Sequence, residues 1–409
     1  FAFCINRDIV YGEENTRGNG AQFMIPRTIQ VQLKKLAAMY PVVTITGPRQ
    51  SGKTTLAKMT FPDYHYVSLE NFDVRQMAEA DPKGFLKSYA APVILDEIQR
   101  VPALLSYIQT IVDENKSSRQ YILTGSHQPQ LGQGVSQSLA GRTGILQLLP
   151  LSISELASAG IVLSRDQYIT QGFMPRLYDT SLDAKNLYRD YFSTYVEKDV
   201  RMMLNIKSLN AFETFVKLLA GRVGQLVNLS SLANDVGISA PTLKEWLSVL
   251  EASFIVFQLP CYFENFGKRL VKSKKLYFTE VGLATWMLGI ETPEQVARDP
   301  LFGGLFENMV VMEALKSRFN AGEMPNLYFL RDSQGLEADL LFQKSHNELI
   351  PIEIKGGMTW NKDFCRNLLK LRKLSDKFVS GYVIYSGDLT PEIDGIKYLN
   401  FKNTASAVS

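Results

Sequence analysis

One glycine-bearing turn constrains this 409-residue chain more than any other stretch. In YPVVTITGPRQSGKTTLAKM (40–59), an apolar run enters a tight turn and leaves as a helix with apolar positions at Leu56 and Met59. Gly47-Pro48-Arg49-Gln50-Ser51-Gly52-Lys53-Thr54 satisfies GxxxxGK[ST] in the strand–loop–helix context that this spacing requires. Backbone N–H groups and the helix N-terminus then face phosphate oxygens, Lys53 reaches the outer phosphates and Thr54 is placed to ligate magnesium. Thr55 follows directly and is expected to lie against the same nucleotide. The loop therefore predicts a parallel α/β sheet with an ATP and Mg2+ site at its carboxyl edge.

Two further strands are expected to meet it there. APVILDE (91–97) ends in Asp96 and Glu97: the first is suited to hold magnesium through water, the second to orient or deprotonate an attacking water. RQYILTGSH (119–127) ends in Thr124, Ser126 and His127, which read either as helix or turn caps or as groups that hold the water and sense the γ-phosphate. His127 has no partner histidine at metal-ligand spacing. Arg142, in SQSLAGRTGILQLLPLS (136–152), reads as a surface ion pair or as an arginine that stabilises phosphate charge in its own or a neighbouring subunit. The aromatics of 170–205 recur at helical spacing and are expected in a core, over the nucleotide.

Composition excludes little. The 44 basic and 41 acidic side chains leave a net charge of +3, which neither requires nor rules out nucleic acid. Three scattered cysteines, Cys4, Cys261 and Cys365, form no CxxC pair and fit a reducing compartment, and no apolar run has the length of a bilayer span. A cytoplasmic protein without membrane contact is the expectation. Residues 1–23, polar and glycine-bearing, are expected to be an extension that adds little to the fold.

From 208 to 260 the pattern becomes three short helical pieces and a β-rich tail. Ser239 is expected to cap the last helix, with Pro241 in its first turn and Leu243, Leu247 and Leu250 inside. This reads as a winged-helix module. Its last helix sets Lys244 against Glu245 and lacks an arginine cluster, so packing or oligomerisation is favoured over base readout. The run KRLVKSKK (268–275), with Lys268, Arg269, Lys272, Lys274 and Lys275, reads as a solvated hairpin or a phosphate-backbone contact.

The last third offers a helix bearing Glu307, a strand carrying Glu337 and Asp339, and another with Glu353 and Lys355 on one face. Asp339 and Glu353 are suited to bind magnesium and Lys355 to activate water, as in metal-assisted phosphodiester cleavage. A plain cross-strand ion pair explains the same spacing.

In this order, TITGPRQSGKTTL, VILDEIQ, ILTGSH, SLAGRTGILQLLPLS, GFMPRLYD, YVEKDVR, LYFTEVGLATWMLG and LEADLLFQ…IPIEIKGG make the chain from Met24 onward resemble the bacterial and archaeal AAA-type ATPases that carry a C-terminal DUF4143 domain. The resemblance implies a P-loop AAA-type core (24–150), a helical lid (151–207), a winged-helix-like module (208–290) and a restriction-endonuclease-like α/β domain (291–409). It implies ATP and magnesium roles for Lys53, Thr54, Asp96 and Glu97, a finger or sensor role for Arg142, and a nuclease-like set of Glu307, Asp339, Glu353 and Lys355. His127 stands where relatives often have glutamine. Expected partners are further copies of the chain, DNA or another protein. The functional reading is ATP hydrolysis coupled to rearrangement of the nuclease-like domain, with an ATP-switched regulatory or assembly protein as the competing class.

Overall fold

A computed structural model describes residues 24–115, 117–126, 138–200, 206, 208–262, 274–332 and 335–409. The expectations for the 1–23 extension, Cys4, His127, Lys268, Arg269 and Lys272 lie outside the described residues.

The first unit is a five-stranded parallel sheet of β1 (Val42–Gly47), β2 (His65–Ser68), β3 (Val93–Asp96), β4 (Tyr121–Ser126) and β5 (Thr143–Gln147). Its order, β2-β3-β4-β1-β5, sets the P-loop strand between β4 and β5. β1 and β4 are buried along their whole length, as near-continuous apolar runs in a parallel sheet require. The carboxyl ends of β1, β3 and β4 consequently lie side by side.

The second unit contains helices Leu209–Ala220, Leu229–Val236 and Ala240–Ala252, then the antiparallel pair β6 (Val256–Leu259) and β7 (Lys275–Phe278). Ser239 accepts from the Thr242 amide, Pro241 sits in the first turn, and Leu243, Leu247 and Leu250 are buried. This follows the cap and the apolar face expected for that helix.

The third unit is a six-stranded mixed sheet of β8 (Leu327–Arg331), β9 (Glu337–Ser345), β10 (Glu348–Lys355), β11 (Gly381–Tyr385), β12 (Glu392–Ile393) and β13 (Ile396–Asn400), ordered β12-β13-β11-β10-β9-β8. β8, β9 and β10 are antiparallel, whereas β11 runs parallel to β10 and to β13. Ile350, Ile352 and Ile354 join the core that contains the long helix Phe302–Asn320; Leu349 joins the opposite core with Leu368 and Leu371 of helix Arg366–Arg372. The alternation along β10 thus decides which helix each face meets.

The lid, the helical unit and one face of the C-terminal sheet share a core. One apolar cluster extends from Leu149 through Tyr168, Phe212 and Leu276 to Phe306, Ile352 and Val408. Asn308, wholly buried on the long helix, fastens this junction: its Oδ1 accepts from the Phe278 amide at 2.6 Å and its Nδ2 donates to the Phe278 carbonyl at 2.9 Å. Among the described residues no helix is long and apolar enough to cross a membrane.

Because Asn308→Ala leaves the Phe278 amide and carbonyl buried without those partners, it is expected to destabilise the protein by about 2–3 kcal/mol. Chemical denaturation measures the loss, and faster amide exchange along β7 locates it.

Candidate functional site

Two charged centres emerge, one at the carboxyl edge of the parallel sheet and one between β7 and the C-terminal sheet. At the first, Gly47 has φ +148° and Gly52 φ +91°, and a Cβ at Gly47 would strike the Leu148 carbonyl. The turn thus needs glycine at both points. Beyond it, helix Lys53–Thr60 starts directly at the loop. Lys53, almost fully buried, donates to the Gly47 and Pro48 carbonyls at 3.1 and 2.7 Å. Burial pulls its ammonium down to about 8, against the opposing charges of Glu97 and Asp96. Ser51 Oγ, on a wholly buried residue of the same loop, has no protein partner. A buried ammonium and an orphaned hydroxyl in one turn form a place for anionic oxygens.

Asp96 takes three hydroxyl donors. Thr54 Oγ1 reaches Oδ1 at 2.8 Å, Thr124 Oγ1 binds the same oxygen, and Tyr66 OH binds Oδ2 at 2.9 Å. Burial and the adjacent carboxylate push the Tyr66 phenol up to about 12, so it remains a donor. Thr54 and Asp96 supply the hard oxygen donors that a magnesium bound mainly by water and phosphates uses. Glu97 has a left-handed backbone, φ 56° and ψ 47°, uncommon for a residue with a Cβ. Its Oε2 accepts from Gln99 Nε2, which also donates to Ser126 Oγ at 3.1 Å.

The structure brings together Gly47, Ser51, Gly52, Lys53, Thr54, Asp96, Glu97, Thr124 and Ser126, as the sequence predicts. Pro48 and Gln50 shape the loop, the latter at φ 62°; Arg49 leaves it to pair with Glu70 at 3.2 Å and lie over the Tyr195 ring. Thr55 lines a recess with Met24, Ile25, Met59, Pro175 and Asp179. Arg142 is placed elsewhere. It immediately precedes β5, whose first residue pairs with Val42 at the amino end of β1, ~16 Å of strand from Gly47. There it makes a bidentate pair with Asp113, at 2.5 and 2.8 Å. Arg142 therefore does not contact its own chain's phosphate loop.

Sequence reasoning passed over Tyr66, Gln99 and Arg27. Arg27 Nη1 donates to the Ser51 carbonyl at 2.7 Å and Nη2 to the Leu149 carbonyl at 2.7 Å, while Nε pairs with buried Glu155 at 3.1 Å. Glu155 also accepts from the Ser152 amide, and the next amide, Ile153, donates to Glu313 on the long helix at 2.8 Å. Lys316 completes the join by donating to Glu313 and to the Leu151 carbonyl, both at 2.8 Å.

At the second centre, Asp339 and Glu353 lie on neighbouring antiparallel strands, and Asp339 Oδ2 accepts from the Ile354 amide at 2.8 Å. Lys355 pairs with Glu353 at 2.7 Å. The middle of the cluster holds Lys275, which was expected in a solvated or phosphate-facing run. Instead it is only 4% exposed, with Nζ at 2.7 Å from Glu337, 3.0 Å from Glu307 and 3.7 Å from Asp339. The reason is its strand: β7 is buried throughout and carries the lysine inward with it. Tyr277 OH adds a 2.6 Å bond to Glu307. Burial, with Asp339 close by, pushes Glu307 and Glu353 each up to about 7. Among the described residues no group of three or more His, Cys, Asp or Glu side chains is arranged to hold a metal ion.

Comparison with known proteins agrees with the first centre and divides the chain in three. The family described as an AAA domain matches residues 39–157, a domain of unknown function, DUF8612, matches 163–294, and the domain of unknown function DUF4143 matches 302–403. An uncharacterized Mycobacterium tuberculosis protein is 29% identical over 325 residues, covering 78% of this chain and 71% of its own. A Haemophilus influenzae protein is 25% identical over 393 residues, covering 88% and 92% respectively. Among solved structures, a Walker-type ATPase of Pyrococcus abyssi aligns with TM-score 0.41 and 13% identity over 63% of this chain and 94% of that one. AMPPCP-bound DnaA from Aquifex aeolicus aligns with TM-score 0.29 and 18% identity over 55% and 86%.

The chain carries an AAA-type ATPase domain at residues 39–157. More particularly, it joins that ATPase domain to a C-terminal DUF4143 domain.

The Lys53 environment generates a pH prediction. Nucleotide phosphates favour the charged ammonium, so above pH 8, where the free group loses its proton, binding must take one up. ATP affinity is expected to hold constant below about pH 8 and to fall as pH rises beyond it, whereas Lys53→Arg should remove that inflection. Fluorescent-nucleotide titrations across pH 7–9.5 measure both.

Proposed function

We propose that the protein is a magnesium-dependent ATP hydrolase whose nucleotide state switches the contacts of its C-terminal region with a macromolecular partner, without cutting that partner. The observation that carries this reading is Lys275 among Glu307, Glu337 and Asp339. An ammonium held at these distances supplies the positive charge that a divalent ion would bring, and placing both there is electrostatically unfavourable. The residues as arranged do not fit a metal nuclease centre. The order of a long helix, β8, β9 and β10 antiparallel, a helix and β11 parallel to β10 supports a restriction-endonuclease-like descent for this domain. Three helices followed by β6 and β7 support a winged-helix-like middle unit, and its packing into the common core supports a structural use for it.

At the ATP site, magnesium would be held by Thr54 and, through water, by Asp96, and would neutralise charge on the phosphates. Lys53 and Ser51 bind outer oxygens, and Glu97 takes the proton of the attacking water. The recess beside Thr55, with Met24, Ile25, Met59 and Pro175, offers apolar walls for the adenine base, and Asp179 offers an acceptor for its amino group. Loop movement on phosphate binding is transmitted through Arg27 and Glu155 to Ser152, and from Ile153 through Glu313 to the helix that also bears Glu307. Arg142, remote from its own loop, would act in catalysis only by leaving Asp113 and completing the site of a neighbouring copy.

A second reading, a nuclease released by ATP, draws on one feature: Glu353 Oε2 is buried without a partner. The two readings separate in one experiment. The intact protein is mixed with single-stranded, duplex and branched DNA in magnesium or manganese, with ATP, with ADP and with neither. No cutting is expected, while amide exchange in helix Phe302–Asn320 and β7 should differ between ATP-bound Glu97→Gln and the ADP form. Cutting that Asp339→Ala abolishes would replace the proposal with the nuclease reading.

For catalysis, Glu97→Gln is expected to retain ATP binding and lose turnover by roughly 10²-fold or more. Arg142→Ala should lower turnover with nucleotide affinity intact. Mixing Arg142→Ala with Lys53→Ala should restore part of the activity if the arginine acts between chains, which phosphate-release assays of the mixtures reveal.

A further inference from the structure

Gln99 has so far been only the group that holds Glu97. It lies in the three-residue turn Ile98–Arg100, two positions past the glutamate, with its Nε2 bonded to Glu97 Oε2 and to Ser126 Oγ. An ionised carboxylate only accepts hydrogen bonds, so the nitrogen of the amide must face it. The reverse orientation would set oxygen against oxygen. Oε1 is thereby turned away, and it is buried without a hydrogen-bond partner.

An acceptor left in that condition is unfavourable relative to one that is satisfied. Its surroundings narrow what would satisfy it. The donor must fit beside the amide that bonds Glu97 and Ser126, at the carboxyl ends of β3 and β4. Among the described residues no side chain fills the role, and the left-handed Glu97 backbone sets the direction in which the turn leaves β3.

We infer that Gln99 is a catalytic residue whose Oε1 accepts one hydrogen of the attacking water while Glu97 takes the other. The inference deepens the proposed hydrolytic role of Glu97 and rests on it. The water oxygen forms its bond to the γ-phosphorus as the bond to the β,γ-bridging oxygen breaks, and that electron pair leaves with ADP. One water proton passes to Glu97; the other stays on the new phosphate, and Gln99 gains and loses no atom. Ser126 fixes the amide plane, so the carboxyl end of β4 sets the direction of attack through Gln99.

A tether that holds Glu97 in an unproductive pose has the opposite signature, because cutting it would free the base and speed turnover. The test is steady-state ATP hydrolysis by the full chain in magnesium, with nucleotide affinity and unfolding temperature measured beside it. Gln99→Met keeps the length of the side chain without the amide; kcat is expected to fall by roughly 10²-fold, with KM and nucleotide affinity within a few-fold of wild type. Unchanged or raised kcat overturns the inference. Should Gln99→Met fail to fold, Gln99→Asn keeps an amide that is too short to reach, and the same loss or retention decides. Glu97→Gln in parallel separates the two assignments: turnover kept there but lost in Gln99→Met would overturn the role given to Glu97 while supporting that of Gln99.

Discussion

Glu155 is 1% exposed, and a carboxylate so placed is tolerated only when its charge is answered by donors. It receives Arg27, the Thr28 amide and the Ser152 amide, which tie the segment ahead of the first helix to the segment that follows β5. Arg27, spending its remaining donors on the Ser51 and Leu149 carbonyls, cannot move without disturbing the phosphate loop. The neighbouring carboxylate Glu313 extends the same logic to the long C-terminal helix. Removing either acid would strand amides as well as a cation, so geometry at the ATP site and geometry at the far sheet are conditions of each other.

The two charged centres use opposite electrostatics. Around Asp96 the donors are neutral hydroxyls, from Thr54, Thr124 and Tyr66, which leave negative charge in place for an arriving cation. Beside Asp339, which accepts from the Ile354 amide, Lys275 bonds Glu307 and Glu337, and part of the negative charge is already answered. The first centre thus keeps its carboxylate charge open, whereas the carboxylates of the second hold two sheets together through a lysine.

What the sequence made legible follows from the range of each constraint. The phosphate loop is local, so eight residues specify its turn, and VILDE reads as a strand end because its apolar run can only be buried. Strand alternation sets Glu353 and Lys355 on one face, but Asp339 joins them only because β9 pairs with β10. Tyr66 and Gln99 escaped notice because their partners depend on the order β2-β3-β4-β1, which no local pattern encodes. Lys275 was hidden by its company: in a run of cations it reads as solvated, and only the buried KLYF strand that it opens signals an inward turn. Arg142 was legible as an arginine near β5 but not as one at the wrong edge of its own sheet, since strand direction decides that.

The shared core of the lid, middle and C-terminal units also orders events in time. Phe401 lies edge-on against both Tyr168 and Phe306, and Arg318 donates to the Val408 carbonyl at 3.1 Å. During synthesis the parallel sheet of residues 42–147 has all its strands long before these contacts can form, but the helices around Tyr168 wait for a segment made far later. Synthesis therefore completes the strands of the nucleotide-binding sheet, about a quarter of the chain, while the apolar surface around Tyr168 is still uncovered, and that surface is where a chaperone would meet the growing protein.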